Sequence, residues 1–576
     1  MKKAESAAVS VMSEGGPFST LVFVASLWYW LSKHNRASEL EEQEEGLVKV
    51  HRGTVIQPIE EGDYLGNGGQ APGRVSRRGL SALRPVQPYM QAFFECLMDP
   101  CCADDHPQGH VALCIAEHTL VQEFLAHRLI QNPSTLLNAF CDSSAYSYNG
   151  FIGLPEAREA VAYFLNKRFL GHGQSNGFDF EMDATHHHRN MNKPEKLEVN
   201  PQHVAIGSGA ASLLNSLFTS LCDDGDLILI PAPYYATFDS AARLLAHCMP
   251  YAVQCRNPVI GPTPEDLQAA YDRAKRQYPS RRVRAVLITH PNNPLGIFYR
   301  PTVLRRIVDW ARSYNLHTIV DEIYALSQHS ATNEFQSIVK VMQNQLGNDV
   351  HMLWGLSKDL GAAGFRFGVL YTQNLLLMDS LANFGIFTGV AHPLQRLVAE
   401  LLRDDEFIDE FLNHSRQVLV RSYRLCTRKL DEMVIPYIAA ECGMFVYADF
   451  SAVLPHNSET MFAMLVERYA RVVLTPGQSQ HDRKSGMFRI CYAWVAPEVL
   501  QIAMERLSLL VVKLRRSRGA TLNELHECLA ETFFRERLSS LTSDATPRAH
   551  NINSDQKRER TPSRHRESSD MIETFL

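Results

Sequence analysis

The residues best suited to chemistry in this sequence lie in one short stretch around Lys358. The apolar run 352–354 precedes the lysine, and a glycine-rich segment follows it and ends at Arg366. An amine just past a buried strand can be desolvated, which favours its neutral, nucleophilic form. The guanidinium of Arg366 offers a rigid fork for a phosphate. Together they indicate a cofactor that carries an aldehyde and a phosphate, although a surface lysine in a loop explains this stretch alone equally well.

Four more side chains match what an aldehyde cofactor with a pyridine ring requires, and they indicate pyridoxal phosphate. Asp321 could keep the ring nitrogen protonated, so that the ring acts as an electron sink. Tyr324 and Asn293 could hydrogen-bond to the ring hydroxyl, and Tyr235 could stack on the ring. Taken singly, Asp321 could be a helix cap and Asn293 a turn residue. Their joint occurrence favours the cofactor.

A phosphate site is predicted where the chain passes from a strand into a helix at Gly209, Ala210 and Ala211. Backbone N–H groups at a helix N-terminus bind anions, because they have no partner within the helix and point out of its end. We also assign Ser357, next to the lysine, to cofactor binding. No metal site is assigned, because the consecutive histidines at 186–188 point in different directions and fit a solvated loop.

These residues require a scaffold that brings distant segments together, and the hydrophobic pattern provides one. Short apolar runs alternate with helical stretches between residues 204 and 354. Such alternation predicts an α/β fold with a mostly parallel sheet flanked by helices. Ligands of such sheets gather at the carboxyl ends of the strands, where each polar cluster described above lies. Beyond residue 390, longer helices and a few strands, one of which contains Arg489, predict a smaller α+β domain.

Length and composition set the class of protein. The chain has 576 residues, of which 45% are hydrophobic and 21% are charged, as in a globular protein of more than one domain. A net charge of −6 gives no indication of a nucleic-acid partner. The 12 cysteines contain no CxxC pair, which favours reduced thiols in a cytoplasmic protein.

The chain divides into predicted segments with different roles. The apolar stretch 18–31 is shorter than the roughly 20 residues of a membrane span, so it is either a packed or disordered extension or a weak membrane contact. The Ser- and Arg-rich C-terminus predicts a disordered tail. The predicted segments are 1–80 (N-terminal extension), 81–145 (N-terminal part of the small domain), 146–388 (large cofactor-binding domain), 389–525 (C-terminal small domain) and 526–576 (a mostly disordered tail).

Several motifs resemble those of a known family. They are Ala116-Glu117, Gly153-Leu154-Pro155-Glu156, Pro233-Tyr234-Tyr235, Asn293-Pro294-Leu295-Gly296, Asp321-Glu322-Ile323-Tyr324, Leu356-Ser357-Lys358-Asp359-Leu360-Gly361, Gly364-Phe365-Arg366 and Phe488-Arg489-Ile490-Cys491. Together they resemble fold-type I pyridoxal phosphate enzymes of the class I/II aminotransferase family, and most of all 1-aminocyclopropane-1-carboxylate (ACC) synthase-like proteins. The resemblance spans about residues 111–495.

The resemblance implies roles for individual residues. Lys358 would bond covalently to the cofactor and then act as general base and acid at the substrate α-carbon. Arg489 would bind the substrate α-carboxylate, and Glu117 would lie near the substrate. Such enzymes are usually homodimers with shared active sites, and the loop that contains Phe151 would reach the partner's site.

The sequence departs from the ACC synthase pattern at four positions. Phe151 replaces a tyrosine, Gly355 replaces a hydroxyl residue that binds phosphate, Ala211 replaces a threonine and His118 replaces an asparagine. Because Lys358 and the backbone donors remain, the resemblance still implies cofactor binding. The missing tyrosine favours a reaction other than that of ACC synthase.

The predicted function is amino-group transfer from an α-amino acid or amino-acid conjugate. The lysine amine would move the α-proton to the cofactor and release a keto acid. The first alternative is a lyase of the same fold, either a C–S β-lyase or an ACC synthase-type γ-elimination, because these reactions begin with the same α-carbanion. The second alternative is a decayed, non-catalytic binding protein, which the changes at Gly355, Ala211 and Phe151 favour.

Overall fold

The computed structural model describes residues 89–141, 143–171, 197–329 and 334–543. The N-terminal extension 1–80 with its apolar stretch 18–31, the histidines at 186–188 and the chain beyond residue 543 lie outside the described residues. The helices are α1 (Tyr89–Met98), α2 (Gln122–Gln131), α3 (Pro133–Cys141), α4 (Pro155–Arg168), α5 (Ala210–Leu221), α6 (Thr237–Arg243), α7 (Pro264–Gln277), α8 (Pro301–Ser313), α9 (Ile338–Val341), α10 (Leu356–Asp359), α11 (Leu375–Thr388), α12 (His392–Arg403), α13 (Asp405–Glu432), α14 (Glu459–Leu465), α15 (Pro497–Arg516) and α16 (Leu522–Ser543). The strands are β1 (Val111–Ala112), β2 (Val204–Ser208), β3 (Leu227–Ala232), β4 (Met249–Gln254), β5 (Val283–Thr289), β6 (His317–Asp321), β7 (Val350–Gly355), β8 (Phe367–Thr372), β9 (Tyr437–Ile438), β10 (Phe445–Asp449), β11 (Val472–Val473), β12 (Thr475–Pro476) and β13 (Met487–Cys491).

A seven-stranded sheet forms the centre of the molecule, in the order β2-β8-β7-β6-β5-β3-β4. Strands β3 to β7 pair in parallel, whereas β8 runs antiparallel to both of its neighbours, β2 and β7. The strands in the middle are almost continuously apolar because helices cover both faces of the sheet. This arrangement confirms the predicted α/β class with a mostly parallel sheet.

Local sequence signals explain where several of the flanking helices begin. Helix α4 has Pro155 in its first turn, where the missing N–H costs nothing. Helix α7 begins with a capping box, in which the side chains of Thr263 and Asp266 each bind the other's backbone N–H. Helix α13 begins at Asp404, whose side chain accepts from the N–H of Phe407.

A smaller α+β unit packs beside the large sheet. Its four-stranded sheet has the order β12-β13-β10-β9 and is antiparallel throughout. A separate parallel pair, β1 with β11, ties the segment around Val111 to this unit. Buried side chains of α15 and of α13 from Leu419 onward share a hydrophobic core with the antiparallel sheet.

The two hydrophobic cores do not divide at the predicted boundary of residues 388/389. The large core includes Val398 and Leu402 of α12 and Phe411 of α13, whereas the small core begins further along α13 at Leu419. Helix α13, with its 28 residues, therefore crosses from one core to the other. Likewise, Leu125 of α2, in the segment assigned to the small domain, belongs to the large core.

The predicted tail 526–576 begins too early. Helix α16 extends to Ser543, and its side chains Leu529 and Phe533 are buried in the small core. The spacing of these two residues, four positions apart, places them on one face of the helix. Composition alone missed this short apolar stripe between charged residues.

Two strands of the large sheet were not predicted. Strand β4 lies at the sheet edge and contains Pro250, and most of its residues are only half-buried, so it lacks a clear apolar run. Strand β8 follows directly on the glycine-rich segment after Lys358, which hides its beginning.

In the described ranges of the chain, no single helix is long and apolar enough to cross a bilayer. Helices α11 and α12 reach the required length and hydropathy only as a pair, and the chain bends by 116° between them.

Candidate active site

The carboxyl ends of three neighbouring strands converge on one cavity of about 180 Å³. Thr289 at the end of β5 pairs in register with Asp321 at the end of β6, which pairs with Leu353 near the end of β7. The residues around the cavity are Ala210, Ala211, Leu214, Tyr235, Thr237, Phe238, Ala241, Thr289, Asn293, Asp321, Ile323, Tyr324, Leu353, Ser357, Lys358, Ala363 and Arg366. Most of the predicted cofactor-binding residues are therefore brought together at one edge of the sheet.

Lys358 lies in α10, a single turn that directly follows β7. Its Nζ donates a hydrogen bond of 2.6 Å to the backbone oxygen of Ala116, which leads from β1 toward α2. Burial lowers the pKa of Lys358, and the nearby charge of Glu117 opposes that shift. A lysine with a lowered pKa supplies more of the neutral amine at neutral pH, which is the form that attacks an aldehyde.

Asp321 faces the same cavity, and its buried carboxylate forms few hydrogen bonds with the protein. One carboxylate oxygen accepts from the N–H of Ile323 at 3.2 Å. Burial raises the pKa of Asp321 to about 7, against the opposing effects of that hydrogen bond and of the Lys358 charge. A buried carboxylate with a raised pKa is stabilised by a cation, and a protonated pyridine nitrogen is such a cation.

The phosphate corner of the cavity depends on glycines. Gly209 has a φ of 84° and begins α5, and a Cβ at this position would lie 2.6 Å from a terminal nitrogen of Arg366. A Cβ on Gly368 would collide with the backbone of Gly209. The absence of both side chains lets Arg366 lie against the helix N-terminus, where its guanidinium and the backbone N–H groups can bind the same anion.

Asn293 connects the cavity to Arg489. Its side-chain amide donates to the hydroxyl of Tyr324 at 3.4 Å, and its side-chain oxygen accepts from Arg489 at 2.8 Å. Both Asn293 and Tyr324 are buried. The predicted ring-oxygen contacts and the predicted carboxylate site are therefore joined through one amide.

Arg489 lies in β13 and is only 2% exposed. Its Nη2 donates to the backbone oxygen of Cys114 at 2.7 Å and to the hydroxyl of Thr475 at 3.3 Å. The guanidinium also lies over the ring of Phe445, with 5.4 Å from Cζ to the ring centroid. Its Nε has no partner among the described residues, so a donor remains for a substrate carboxylate.

The aromatic wall of the cavity contains Tyr235, whose ring packs edge-on against Phe238 at a centroid distance of 5.5 Å. Thr289 is a site residue that we did not predict. Its hydroxyl is buried and has no protein partner in the described part of the chain. The rule that ligands gather at strand ends would have found it, because it is the last residue of β5.

Two residues predicted to bind substrate, Phe151 and Glu117, do not line the cavity of their own chain. Phe151 is 41% exposed, and its backbone lies against Gly385 of α11, away from the site of its own chain. Glu117 accepts instead from the side chain of Gln122 at 3.3 Å. His118 is buried and contacts the hydroxyl of Ser415 at 3.0 Å, and burial lowers its pKa to about 3.

The structure explains why position 355 carries no hydroxyl-bearing side chain. A Cβ there would lie 2.7 Å from the backbone oxygen of Phe367 in the neighbouring strand β8. Close approach of β7 and β8 thus excludes a side chain at the position where the ACC synthase pattern carries a phosphate ligand. In this chain Arg366 and the N-terminus of α5 lie at the cavity and could bind a phosphate.

The profile of a protein family described as "Aminotransferase class I and II" matches residues 141–507. The chain belongs to this family. Its relatives include "1-aminocyclopropane-1-carboxylate synthase CMW33" of Cucurbita maxima, 27% identical over 73% of this chain and 82% of the relative. Another is a mouse protein described as "Probable inactive 1-aminocyclopropane-1-carboxylate synthase-like protein 2", 29% identical over 75% of this chain and 71% of the relative.

Solved structures show the same fold. Aspartate aminotransferase from Thermus thermophilus with maleate superposes with a TM-score of 0.58 at 21% identity, over 76% of this chain and 99% of that one. The Thermotoga maritima aspartate aminotransferase gives a TM-score of 0.57 at 19% identity. The chain therefore has the fold-type I aminotransferase architecture.

The family uses pyridoxal phosphate, and the residues around the cavity fit this cofactor. Asp321 can pair with the ring nitrogen, Lys358 with the aldehyde carbon and Arg366 with the phosphate. The unpartnered buried hydroxyl of Thr289 also fits a polar guest, because a buried donor without a partner is costly unless a ligand satisfies it.

Proposed function

We propose that this chain is a pyridoxal phosphate-dependent aminotransferase that acts on an α-amino acid or amino-acid conjugate. The observation that carries the proposal is the meeting of Lys358, Asp321 and Arg366 at one cavity, with Arg489 joined to it through Asn293. A non-catalytic binding protein, by contrast, would need neither a desolvated amine nor a buried guanidinium beside it.

The cofactor, when bound, supplies the ring into which the electrons of a substrate α-carbanion spread. The chain holds the other parts of the reaction. Asp321 would keep the ring nitrogen protonated, Tyr235 would pack on the ring, and Tyr324 with Asn293 would hold the ring oxygen. The amine of Lys358 would take the proton from the substrate α-carbon and return it to a different carbon, and general acid–base catalysis of this kind accelerates a reaction by roughly 10² to 10⁴.

Arg489 orients the substrate in this proposal. Two of its nitrogens are held by fixed acceptors, so the guanidinium is positioned before the substrate arrives. Its Nε, which has no protein partner among the described residues, can donate to a carboxylate and thereby fix the direction of the α-carbon–hydrogen bond. In this proposal, a substrate held in that orientation would present its α-proton to the amine of Lys358.

A lyase is the second candidate, because relatives of this chain are ACC synthases. Elimination and transamination share the removal of the α-proton, so the same Lys358 would serve either reaction. The phenylalanine at position 151 and the glycine at position 355 weigh against ACC synthase chemistry itself. Transamination is preferred because it requires no further acid or base beyond the lysine.

A homodimer with shared sites is part of the proposal. The loop of Phe151 lies against α11, and large apolar side chains are exposed on both, including Tyr148 at 96% and Phe387 at 84%. Such a contiguous apolar surface favours a protein partner. Sedimentation of wild type and of Phe387→Glu checks this point, since the substitution should shift the dimer toward monomer.

The test of the function is a half-reaction screen. Purified protein loaded with pyridoxal phosphate is mixed with single amino acids, and its visible spectrum and its products are followed. A keto acid together with the amine form of the cofactor supports transamination, whereas ammonia with a thiol or an alkene supports the lyase. Lys358→Ala serves as the matched inactive control. A wild-type protein that binds the cofactor but converts no amino acid contradicts both enzymatic proposals.

A further inference from the structure

Asp359 directly follows the lysine and has no role in the proposed reaction. It is only 1% exposed, and its carboxylate accepts three hydrogen bonds. One oxygen accepts from the hydroxyl of Ser327 at 2.7 Å. The other accepts from the indole nitrogen of Trp354 at 2.9 Å and from the backbone N–H of Leu326 at 3.1 Å. A buried carboxylate with this many donors is fixed in one orientation.

The three donors belong to two different segments of the site. Trp354 lies in β7, just before the turn that bears the lysine, and its ring stacks on Phe164 at a centroid distance of 5.0 Å. Leu326 and Ser327 end the loop that begins at Asp321 and includes Tyr324. One carboxylate therefore joins the lysine turn to the loop that presents two groups to the cofactor ring.

The network continues to the small unit of the molecule. The N–H of Ser327 donates to the backbone oxygen of Tyr324 at 3.1 Å. The backbone oxygen of Ser327 accepts from the N–H of Gly443 at 2.9 Å, two residues before β10. The position of the loop is thus set from both sides.

The lysine turn needs such an anchor. Helix α10 has four residues, and so short a helix has little stability of its own. Neither lysine, arginine nor histidine forms a salt bridge with Asp359 in the described ranges, so the carboxylate does not serve to neutralise a cation. Burial raises its pKa to about 7, while its hydrogen bonds oppose that shift. The three hydrogen bonds that the Asp359 carboxylate accepts all come from neutral donors.

We propose that Asp359 is a positioning residue that fixes the amine of Lys358 relative to Asp321 and Tyr324. The inference rests on the proposed cofactor chemistry at this site. Its role is geometric, so the shape and hydrogen-bonding of the side chain should matter more than its charge. An asparagine can keep the arrangement, because its oxygen can accept from Trp354 and Leu326 while its amide donates to the hydroxyl of Ser327.

The test compares Asp359→Ala with Asp359→Asn. Binding of pyridoxal phosphate to the cofactor-free protein is measured by titration, together with the pH at which the visible band of the lysine-bound cofactor changes. We expect Asp359→Ala to weaken binding by about tenfold or more and to shift that pH. Asp359→Asn should remain within about threefold of wild type in binding.

A second buried carboxylate supplies the control. Glu459 is also 1% exposed and accepts from the backbone N–H of Gln478 at 2.9 Å and of Gly486 at 2.7 Å, in the small unit. Glu459→Ala should lower stability as Asp359→Ala does, with no change in the pH response of the visible band. If Asp359→Ala does not fold, Ser327→Ala removes a single donor and should produce a smaller change in the same direction.

The outcomes separate the proposals. Wild-type cofactor binding by Asp359→Ala, or equal changes of the band in Glu459→Ala, would overturn the positioning role. So would an Asp359→Asn protein as impaired as the alanine variant, because charge would then be the requirement. A wild-type protein that does not bind pyridoxal phosphate would contradict the proposed function instead.

Discussion

The cavity at the strand ends and the pocket around Arg489 adjoin each other at Asn293. They differ in how many hydrogen-bond partners the protein supplies to their polar groups. In the cavity, the hydroxyl of Thr289 has no protein partner within the described residues, and the carboxylate of Asp321 accepts one backbone hydrogen bond. In the pocket, Arg489 donates to Asn293, Cys114 and Thr475. The first region is left incomplete for a guest, whereas the second is already organised except at the Nε of Arg489.

Because of this difference, substitutions in the two regions should have different effects. A group that lacks a partner becomes satisfied only when a ligand binds, so its removal should affect cofactor binding more than stability. A group that is held by the protein acts on the substrate through its orientation, and its removal should affect both folding and substrate binding. Each experiment below sets one region against the other.

The largest effect is expected from Lys358→Ala. Loss of the amine should abolish the visible band of the lysine-bound cofactor and lower the rate of the half-reaction by about 10³ or more, because both nucleophile and base are lost. Absorbance spectra and stopped-flow mixing with an amino acid measure these quantities. Lys484→Ala, at an exposed salt bridge with Asp449, is the control and should behave as wild type. An intact band in Lys358→Ala would refute the assignment of this lysine.

Arg489→Lys should have the next largest effect and should act on substrate alone. An ammonium cannot reproduce the planar fork, so kcat/KM should fall by roughly 10- to 100-fold while cofactor affinity stays near that of wild type. Steady-state kinetics and cofactor titration check the two halves of this expectation. Arg312→Lys, at a partly exposed pair with Asp349, tests whether loss of an arginine fork in general has this effect. Equal losses of cofactor and substrate binding would argue against two separate regions.

The pH dependence of stability should reveal the incomplete cavity. The pKa of Asp321 is raised to about 7 in the fold, so the folded state binds its proton more tightly than the unfolded state does. By linkage, this residue makes folding less favourable as pH rises from about 4 through about 7. Urea unfolding of the cofactor-free protein should therefore show wild type losing stability with rising pH relative to Asp321→Asn. Bound cofactor should diminish that difference, and a pH-independent difference would contradict the raised pKa.

The smallest and sharpest contrast is between two buried threonines. Thr289 is 5% exposed with an unpartnered hydroxyl, whereas the fully buried Thr475 contacts Arg489 and Cys114. Thr289→Val should stabilise the cofactor-free protein by up to about 1 kcal/mol, while Thr475→Val should destabilise it by about 1 to 2 kcal/mol. Thermal unfolding of both cofactor-free variants measures the sign of each change in stability. Destabilisation by both substitutions would mean that the hydroxyl of Thr289 also has a partner.

The parts of the fold that could be predicted are those with strong local signals. The runs that became β3, β5, β6 and β7 are apolar for most of their length, and the ligands at their ends follow from the geometry of parallel sheets. The edge strand β4 and the boundary between the cores depend on which surfaces meet, and no local pattern encodes that. Likewise, the apolar stripe of helix α16 becomes apparent only once the helix is packed on the small core.

The sequence by itself indicated the cofactor of this protein. A lysine after a buried strand, an aspartate after another and an arginine eight positions beyond the lysine define the cofactor, because residue type and order along a parallel sheet are enough to place them at one edge. Tertiary structure alone decided which groups are left without partners. It placed Thr289 in the cavity, tied Asp359 to three donors and set Phe151 against α11. Contacts between residues far apart in the chain set burial and hydrogen bonding, and these fix what each side chain can do.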